Sequence, residues 1–565
     1  MRRWILPFPG ALLAIMTGGY GLSLAHAQDR TQARSMVITR YGIVATEQPL
    51  ASQIGATILS QGGNAVDAAV AANAAVGVFG PMVNGIGGDL FALVYEAKSG
   101  KLYGLNASGW APSGLTPEFL KSKGISAMPQ SGIHSVTVPG AVDGWAKLLQ
   151  RFGRKKLPEV LGPAIRYAEE GFPVTEIYSS YWIGSEKKLR KDENATAVFL
   201  PQGRAPRTGE IFRNPDLAWS LKQIAKHGRS AFYEGEIAKR LVSYSRSVGG
   251  TMAAEDLANY SSEWVEPIST TYRGWTVYEI PPNGQGIAAL MMLNLMESFP
   301  LAEFGPASAK SFHVMIEAKK LAYADMLRYV CDPKVNKVPV AGMLSKDYAR
   351  QRAKLLNMAK ANCQVEPGKP PPTGADTAYL CTVDAEGNMV SYIQSNYAGF
   401  GSGLVAPGTG FILQNRGGLF SLEPDSPNVL AGHKRPLHTI IPAFMSQGDV
   451  RIAFGIMGGW NQSQAHAQFV SDVVDHKMNI QAALEAPRFT KMTFEGCDVE
   501  LERRVPASVR EELAAKGHQI QLLGDFATSV GGGQAVLRDF AAGINYGASD
   551  PRKDGAAVPQ SAPMR

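Results

Sequence analysis

The chain is poor in the residue types that indicate a metal site or a redox centre. Its four cysteines are Cys331, Cys363, Cys381 and Cys497, and their spacing matches no zinc or thiol-redox motif. An HExxH sequence, a Walker loop and a GxGxxG fingerprint after a strand are also missing. The sequence therefore implies neither a metal nor a nucleotide cofactor. An oxidising compartment would permit a disulfide, but the sequence leaves open which cysteines pair, if any do.

Charged residues are also sparse, at 19% of the 565 residues, although the net charge is +7. Lys and Arg are scattered near Asp or Glu, and no dense basic block interleaved with aromatic residues occurs. We therefore expect an ordinary basic surface and no nucleic-acid partner. Hydrophobic residues make up 45%, which is typical of a globular protein. The length allows one large domain or roughly two to four ordinary ones.

Long apolar runs are absent except at the start of the chain. Residues 1–27 contain two early arginines, an apolar stretch and Ala25-His26-Ala27, whose small residues suit a signal-peptidase site. We expect a secretory signal peptide that is cleaved after Ala27, and the alternative is an uncleaved membrane anchor. No later run is long enough to span a bilayer. The sequence thus predicts a periplasmic or secreted protein that has no membrane segment once the signal is removed.

One internal linker divides the remaining chain. Residues 361–376, ANCQVEPGKPPPTGAD, carry four prolines and two glycines and cannot form a core element. Before the linker, residues 84–109 predict a Gly-rich turn followed by two strands, and 139–260 predict mostly helices. After it, residues 377–470 favour strands and turns, and 477–522 favour helices with one strand. This order predicts an α/β chain of mixed connectivity.

Two strand-prone runs directly follow the linker and predict a hairpin. They are TAYLCTV, from Thr377, and MVSYIQS, which ends at Ser395. Between them, Gly387 can supply the left-handed position of a three-residue loop. If Asp384 pairs with Asn388, then Thr377 faces Ser395, with Cβ atoms about 5 Å apart. A β-bulge would shift this pairing by one residue.

A threonine at the start of this hairpin becomes a nucleophile if the chain is cut before it. A threonine hydroxyl needs an adjacent base, and an N-terminal threonine supplies one through its own α-amine, whose pKa lies near neutrality. Ser395 could orient the hydroxyl or relay its proton. Before the cut, the Thr377 hydroxyl could attack the Asp376 carbonyl, and the resulting ester would hydrolyse. The competing interpretation is a plain edge hairpin preceded by a loop.

Motifs along nearly the whole mature length resemble those of the γ-glutamyltranspeptidase family. The matching stretches are GGNAVDAAVAA (62–72), GIGGDLF (85–91), DTAYLCTVDAEGNMVS (376–391), FGSGLV (400–405), KRPLHTIIPA (434–443), GIMGGW (455–460) and YGASDPR (546–552). The resemblance implies an N-terminal-nucleophile hydrolase with a four-layer αββα sandwich. It also implies a precursor that cuts itself into a large subunit, 28–376, and a small catalytic subunit, 377–565, which stay together as a heterodimer.

The resemblance also implies roles for the catalytic residues. Thr377 matches the nucleophile, and Ser395 matches a position that carries a supporting hydroxyl. Gly458 and Gly459 match the pair whose backbone N–H groups form the oxyanion hole. The implied reaction is acyl transfer: Thr377 attacks an amide carbonyl, the amine leaves, and water or an acceptor amine releases the acyl group. The default family substrate is a γ-glutamyl peptide such as glutathione.

The predicted substrate pocket departs from the family pattern. Ser108 stands where typical members have an arginine that holds the substrate α-carboxylate. Tyr397, Arg416 and Leu419 stand where typical members use Asn, Gln and Asp to hold the α-amine. A cation at Arg416 would repel an ammonium group and attract a carboxylate, and Leu419 cannot pair with an amine.

These departures are similar to those of oxamate amidohydrolases and cephalosporin acylases, which handle acyl groups with a carboxylate and no α-amine. Arg416 is the candidate carboxylate clamp, with a structural salt bridge as its alternative. His438 and Thr439 replace a Ser-Ser pair and are further candidates for substrate contact, although His438 is equally a candidate core residue. Arg435 is expected to be structural. Three functions stay open: γ-glutamyl hydrolase or transpeptidase, amidase for oxamate- or glutaryl-type amides, and unprocessed periplasmic binding protein.

Overall fold

The computed structural model describes residues 32–366 and 378–563. The strands are, in chain order, β1 (Val37–Thr39), β2 (Ile43–Thr46), β3 (Asp89–Glu96), β4 (Lys101–Ala107), β5 (Phe172–Pro173), β6 (Ile211–Phe212), β7 (Glu263–Val265), β8 (Ile268–Tyr272), β9 (Trp275–Glu279), β10 (Ala378–Val383), β11 (Met389–Ser395), β12 (Ala443–Gln447), β13 (Val450–Ile456), β14 (Phe489–Thr490), β15 (Asp498–Glu502), β16 (Gln519–Leu523), β17 (Gly533–Asp539), β18 (Ile544–Ser549) and β19 (Ala556–Pro559).

The helices are, in chain order, α1 (Pro49–Ser60), α2 (Ala65–Phe79), α3 (Pro117–Ser122), α4 (Ala141–Phe152), α5 (Leu157–Glu170), α6 (Glu176–Leu189), α7 (Glu193–Phe199), α8 (Pro215–His227), α9 (Arg229–Tyr233), α10 (Glu236–Ser247), α11 (Ala254–Ala258), α12 (Gly286–Met296), α13 (Leu301–Phe304), α14 (Ala309–Tyr329), α15 (Val340–Met343), α16 (Lys346–Ala353), α17 (Gln462–Val474), α18 (Ile480–Glu485) and α19 (Ala507–Ala515). Short 3₁₀ turns lie at Ile133–Ser135, Arg416–Leu419, Gly459–Asn461 and Thr528–Val530. Among the described residues, none of these helices has the length and apolarity needed to cross a membrane.

Two seven-stranded antiparallel sheets form the centre of the molecule. One has the strand order β1-β18-β17-β13-β12-β9-β8 and the other β19-β2-β10-β11-β3-β4-β7. Apolar side chains from both sheets share one core, which includes Phe91 and Tyr379 from one sheet and Phe444 and Val536 from the other. The sheets therefore face each other, because sheet faces that are apolar must be buried against another layer.

Helices cover the outer face of each sheet. On one side α2 packs against the β10–β11 hairpin, and all of its 15 residues are buried. Its small side chains allow this close approach, and Asn64 begins the helix with a capping box to Asp67. On the other side α12, α14 and α17 pack with apolar residues of β12 and β13. The helix–sheet–sheet–helix order confirms the predicted four-layer αββα sandwich.

The hairpin after the linker has the predicted register. Ala378 pairs with Gln394, and the pairing continues without a bulge to Val383 and Met389. Alternate residues point to opposite faces, so Leu380 packs in the helix-side core whereas Tyr379 packs between the sheets. Gly387 has the expected left-handed conformation, with φ +90°.

Two predictions concern residues outside the described structure, and a third is wrong. The predicted signal peptide, 1–27, and the predicted cut between Asp376 and Thr377 lie outside the described residues. The prediction of one strand in 477–522 is wrong, because β14, β15 and β16 form a small three-stranded sheet. These strands have two to five residues, which is too short for an alternating pattern to separate them from the neighbouring helices.

The structure also decides the cysteine pairing that the sequence left open. Cys363 and Cys497 form a disulfide across a sequence separation of 134 residues. Cys331 and Cys381 are free and buried.

Candidate active site

The candidate site lies at one end of the inner strands, where β11 and β3 run side by side. Ser395 is the last residue of β11 and pairs with Asp89, the first residue of β3. Both are fully buried. The Ser395 hydroxyl accepts a hydrogen bond of 2.8 Å from the backbone N–H of Tyr397. Tyr397 has φ +80°, a conformation that large side chains rarely adopt and that is frequent at functional sites.

Arg416 occupies the buried centre of the site. It begins the 3₁₀ turn after β11, and its side chain is 0% exposed. Nη1 donates to Thr439 Oγ1 at 2.6 Å, and Cζ lies 4.6 Å from the centre of the Tyr397 ring, which is a cation–π contact. Nε and Nη2 are buried and have no hydrogen-bond partner among the described residues. A buried guanidinium with two unsatisfied donors is unfavourable unless an acceptor is supplied.

Asp89 supplies negative charge beside this guanidinium. Its Oδ1 accepts from the N–H of Gly109 and from Gln414 Nε2, both at 2.8 Å. Its Oδ2 lies 2.9 Å from His438 Nε2. Sequence reasoning missed Asp89, although it lies inside the GIGGDLF stretch that carried part of the family resemblance.

His438 is neutral near physiological pH. Burial, followed by the nearby positive charge of Arg416, lowers the pKa of His438 to about 4. The neutral imidazole therefore donates its Nε2–H to Asp89, since a carboxylate can only accept. Burial also lowers the pKa of Arg416 to about 10, which leaves the guanidinium charged at neutral pH. The described pocket thus contains one cation, Arg416, and one anion, Asp89, whose charge acts on the guanidinium through space.

Gly458 and Gly459 form a turn after β13 that only glycine adopts readily. Gly458 has φ +122° and Gly459 has φ +58°. A Cβ at Gly458 would lie 3.2 Å from the Cβ of Asn461, whose backbone N–H donates to the Gly458 carbonyl at 2.9 Å. Because both positions have positive φ, a side chain at either of them would strain the backbone, so the geometry of this turn depends on glycine.

Gln285 connects this turn to the segment that carries His438 and Thr439. Its side-chain Nε2 donates to the Gly459 carbonyl at 2.7 Å and also to the Thr439 carbonyl. Its backbone N–H donates to the His438 carbonyl at 2.9 Å. Sequence reasoning missed Gln285, and its position at the end of a Pro/Gly turn between β9 and α12 was the available signal. The same residue therefore holds both sides of the candidate site.

The predicted substrate contact Ser108, and two other residues singled out in the sequence, Leu419 and Arg435, have partners within the protein. Ser108 is buried, and its Oγ donates to Asn106 Oδ1 at 2.7 Å. Leu419 is 1% exposed and packs in the apolar core on the outer side of the β12–β13 sheet. Arg435 forms an ion pair with Glu263 at 2.9 Å, in agreement with the structural role expected for it.

One cluster of potential metal ligands lies between α14 and the start of β16. The ligand atoms of His313, Glu317 and His518 lie within 4.8 Å of one another. The two imidazoles already contact each other at 2.8 Å, and Glu317 is paired with Lys320 at 2.6 Å. A cation would have to displace both contacts next to a buried ammonium group, so the cluster is better satisfied without one.

Comparison with known proteins agrees with this architecture. Residues 51–560 match the family model described as gamma-glutamyltranspeptidase. The chain is 38% identical to the glutathione hydrolase-like YwrD proenzyme of Bacillus subtilis (strain 168), over 93% of this chain and 99% of that protein. It is 35% identical to the acylase ACY 1 proenzyme of Pseudomonas sp. (strain SE83), over 92% of this chain and 93% of that protein.

A solved structure shows the same fold over nearly the full length. The crystal structure of cephalosporin acylase from Bacillus halodurans is similar with a TM-score of 0.89 and 43% sequence identity, covering 96% of this chain and 99% of that one. The relatives named above are proenzymes, which fits a precursor that is cut into associated subunits. The chain therefore belongs to the γ-glutamyltranspeptidase family and is a self-processing amidohydrolase of the N-terminal-nucleophile type.

Proposed function

We propose that this amidohydrolase cuts itself between Asp376 and Thr377 and then removes acyl groups that carry a carboxylate and lack an α-amine. The large subunit would comprise 28–376 and the small subunit 377–565. The observation that carries the proposal is the buried guanidinium of Arg416, whose Nε and Nη2 have no acceptor among the described residues. Oxamate- and glutaryl-type amides belong to this substrate class.

The hairpin supports Thr377 as the nucleophile. Counting on by one residue from the Ala378–Gln394 pair leads to Thr377 and Ser395. In the proposed reaction the free α-amine takes the proton of the Thr377 hydroxyl, and Oγ attacks the amide carbonyl. The N–H groups of Gly458 and Gly459 stabilise the oxyanion, and the leaving amine departs with the transferred proton. Water then attacks the acyl-enzyme ester and releases the acid.

Arg416 supports a carboxylate as the recognised group. Nε and Nη2 lie on one edge of the guanidinium fork, which suits a bidentate bond to a carboxylate. Thr439 holds the opposite side of the fork, and the Tyr397 ring lies 4.6 Å below it. Leu419 offers no acceptor for an ammonium group. The Pseudomonas and Bacillus halodurans relatives are both named acylases, which supports the removal of an acyl group from an amide.

A γ-glutamyl substrate is the second candidate. It is favoured by the Bacillus subtilis relative, which is named a glutathione hydrolase-like proenzyme. The α-carboxylate of a γ-glutamyl group would also suit Arg416, but its ammonium group would then lie close to the guanidinium. We therefore expect γ-glutamyl compounds to be poorer substrates than their des-amino counterparts.

The substrate class is tested with three p-nitroanilides that share a linear acyl chain and differ at its far end. The glutaryl compound carries a carboxylate, the γ-glutamyl compound a carboxylate and an α-amine, and the butyryl compound neither. We expect glutaryl anilide to have the highest kcat/KM. Arg416→Gln should lower kcat/KM for glutaryl anilide by about 10²-fold, as expected on removal of one partner of a buried charge pair. The butyryl compound has no carboxylate, so its kcat/KM should change little and serves as the folding control. Turnover of γ-glutamyl anilide alone would contradict the proposal.

The nucleophile is tested by intact-mass spectrometry of the purified protein. We expect two chains, the second beginning at Thr377, in the wild type and a single chain in Thr377→Ala. Thr377→Ser keeps the hydroxyl and is the matched control, which should still be processed. A single uncleaved chain in the wild type would support the binding-protein alternative.

The location is part of the same proposal. The signal-like residues 1–27 and the Cys363–Cys497 disulfide both suit an exported protein, because disulfides persist in oxidising compartments. The mass of the large subunit reports this directly, since removal of the signal leaves Gln28 as its first residue. A large subunit that retains residues 1–27 would contradict export with cleavage.

A further inference from the structure

We propose that the Cys363–Cys497 disulfide joins the large and small subunits covalently after self-cleavage. The inference rests on the proposed cut between Asp376 and Thr377. Cys363 lies before that cut and Cys497 lies after it, so cleavage leaves one cysteine of the disulfide on each fragment. The mature enzyme would therefore be a single covalent unit made of two chains.

The segment around Cys363 is held against the small subunit by other contacts. The backbone N–H of Ala361 donates to the Lys516 carbonyl at 2.7 Å, and Lys516 Nζ donates to the Met358 carbonyl at 2.8 Å. His313 contacts His518 at 2.8 Å between ring nitrogens. These contacts all cross from residues before the cut to residues after it, so folding alone brings the two cysteines together.

Lys320 fixes the same junction from the large subunit. Its Nζ donates to Glu317 Oε1 at 2.6 Å and to the Asn362 carbonyl at 2.9 Å, and it lies 3.6 Å from Cys497 Sγ. Glu317 Oε2 accepts from the backbone N–H of Asn362 at 3.1 Å. The residue before Cys363 is therefore held by both groups of a buried ion pair, and the cysteine side chain is aimed at its partner.

The pairing is chemically selective. Cys363 is exposed, so an oxidant can reach this half of the pair although Cys497 is buried, whereas both free cysteines, Cys331 and Cys381, are buried. Burial raises the pKa of both buried thiols, which disfavours the reactive thiolate. Formation of the disulfide removes two protons and two electrons from the thiols of Cys363 and Cys497. A disulfide-bearing oxidant of the exported compartment accepts them by thiol–disulfide exchange and becomes a dithiol.

Cleavage changes what the disulfide does. In the precursor it closes a loop between positions 134 residues apart, and this loop contains the cut. Once the Asp376–Thr377 bond is broken the loop is open, and the same disulfide becomes a tether between two chains. A tether holds the two chains close together, so each meets the other at an effective concentration on the order of millimolar. Reassociation after unfolding then becomes independent of protein concentration.

The first test is denaturing gel electrophoresis of the mature enzyme with and without dithiothreitol. We expect one covalently joined species without reductant and two chains with it. Cys363→Ser and Cys497→Ser should be processed normally but give two chains in both lanes, whereas the control Cys331→Ser should behave as wild type. Two chains from wild-type enzyme without reductant would overturn the proposal.

The proposed cut and the proposed tether fail in different ways. A single species that persists with dithiothreitol means that no cut occurred, which overturns the proposed function and the tether with it. Thiol titration in denaturant does not depend on cleavage. We expect two reactive thiols per chain pair before reduction, from Cys331 and Cys381, and four after it. Four thiols before reduction would overturn the disulfide itself.

A second test measures recovery of activity after urea unfolding and dilution. For the wild type we expect a recovered fraction that does not change with protein concentration. For Cys363→Ser we expect the fraction to fall as the protein is diluted, because its chains must find each other in solution. An equal concentration dependence in both proteins would overturn the proposed tether.

Discussion

The two sides of the candidate active site depend on different features, backbone geometry on one side and side-chain charge on the other. On the nucleophile side the geometry is set by backbone: the β10–β11 register and the left-handed turn at Gly458 and Gly459. On the acyl side it is set by side-chain charge, through Arg416, Asp89 and the neutral His438. Backbone geometry tolerates few substitutions, whereas charged side chains can be exchanged while the fold stays the same. Such a division lets the reaction persist while the substrate changes.

The largest effect on kcat is expected from a substitution in the glycine turn after β13. Gly458→Ala should lower kcat by about 10²–10³-fold, the loss typical of a misplaced oxyanion donor, because φ +122° is unfavourable for alanine. KM for glutaryl anilide should change little, since the acyl side is intact. Gly448→Ala is the matched control: Gly448 also has positive φ, with open space around a Cβ. A rise in KM without a fall in kcat would contradict the division of the site.

A somewhat smaller effect is expected from removing the anion on the acyl side. Asp89→Asn leaves Arg416 without its buried counter-charge and disturbs the bond to His438. We expect a loss of about 1–3 kcal/mol in the free energy of unfolding, the cost of leaving buried donors without a full acceptor, measured by urea denaturation. KM for glutaryl anilide should change more than kcat. Unchanged stability would mean that Asp89 does not balance the guanidinium.

A milder change on the side of the site that contains Arg416 is the substitution Thr439→Val. Thr439→Val removes the acceptor that holds Arg416 Nη1 at 2.6 Å. We expect roughly a 10-fold rise in KM for glutaryl anilide, because a hydrogen bond to a charged group contributes about 1.5–3 kcal/mol. Butyryl anilide should be unaffected, and Thr439→Ser should retain most of the wild-type value. Equal losses with both substrates would indicate a general disturbance of the fold.

The smallest expected effect is on how the free energy of unfolding changes with pH through His438. The folded-state pKa of His438 is about 4, below the ordinary value of 6.5, so the unfolded chain binds more protons between these values. The stability that His438 contributes is therefore complete above about pH 6.5 and is lost as pH falls toward 4. We expect His438→Gln to flatten the fall in urea stability over this range, whereas the exposed His227→Gln should not. Parallel curves for wild type and His438→Gln would contradict the buried neutral state.

The sequence predicted the β10–β11 register well because its signals are local. The register of β10 and β11 follows from two strand-prone runs and Gly387, which lie within twenty residues of one another. The acyl side could be predicted only in part. The family resemblance makes Arg416 a candidate, but its lack of acceptors among the described residues depends on burial by residues far away in sequence. Asp89 lies 349 residues from His438, and no local pattern links them.

Other contacts that the sequence did not predict also join residues far apart in the chain. Gln285 reaches Gly459 across 174 residues, and Cys363 reaches Cys497 across 134. Neither contact has a periodic or compositional signal. The sequence predicts one strand where β14 to β16 form three, because these short strands are stabilised by pairing with each other and by packing against α14 and α19. Tertiary context, and not local propensity, decided all of these features.

The Arg416 donors that have no acceptor among the described residues also bear on how the proposed reaction releases its product. In the proposed reaction hydrolysis leaves the recognised carboxylate unchanged, so the guanidinium would hold the substrate, the acyl-enzyme and the free acid alike. Binding that is equal in the ground state and the transition state lowers KM without accelerating the chemical step. The arginine that selects the acyl group would thus also slow its departure, and the released dicarboxylate should compete with fresh substrate for the same pocket.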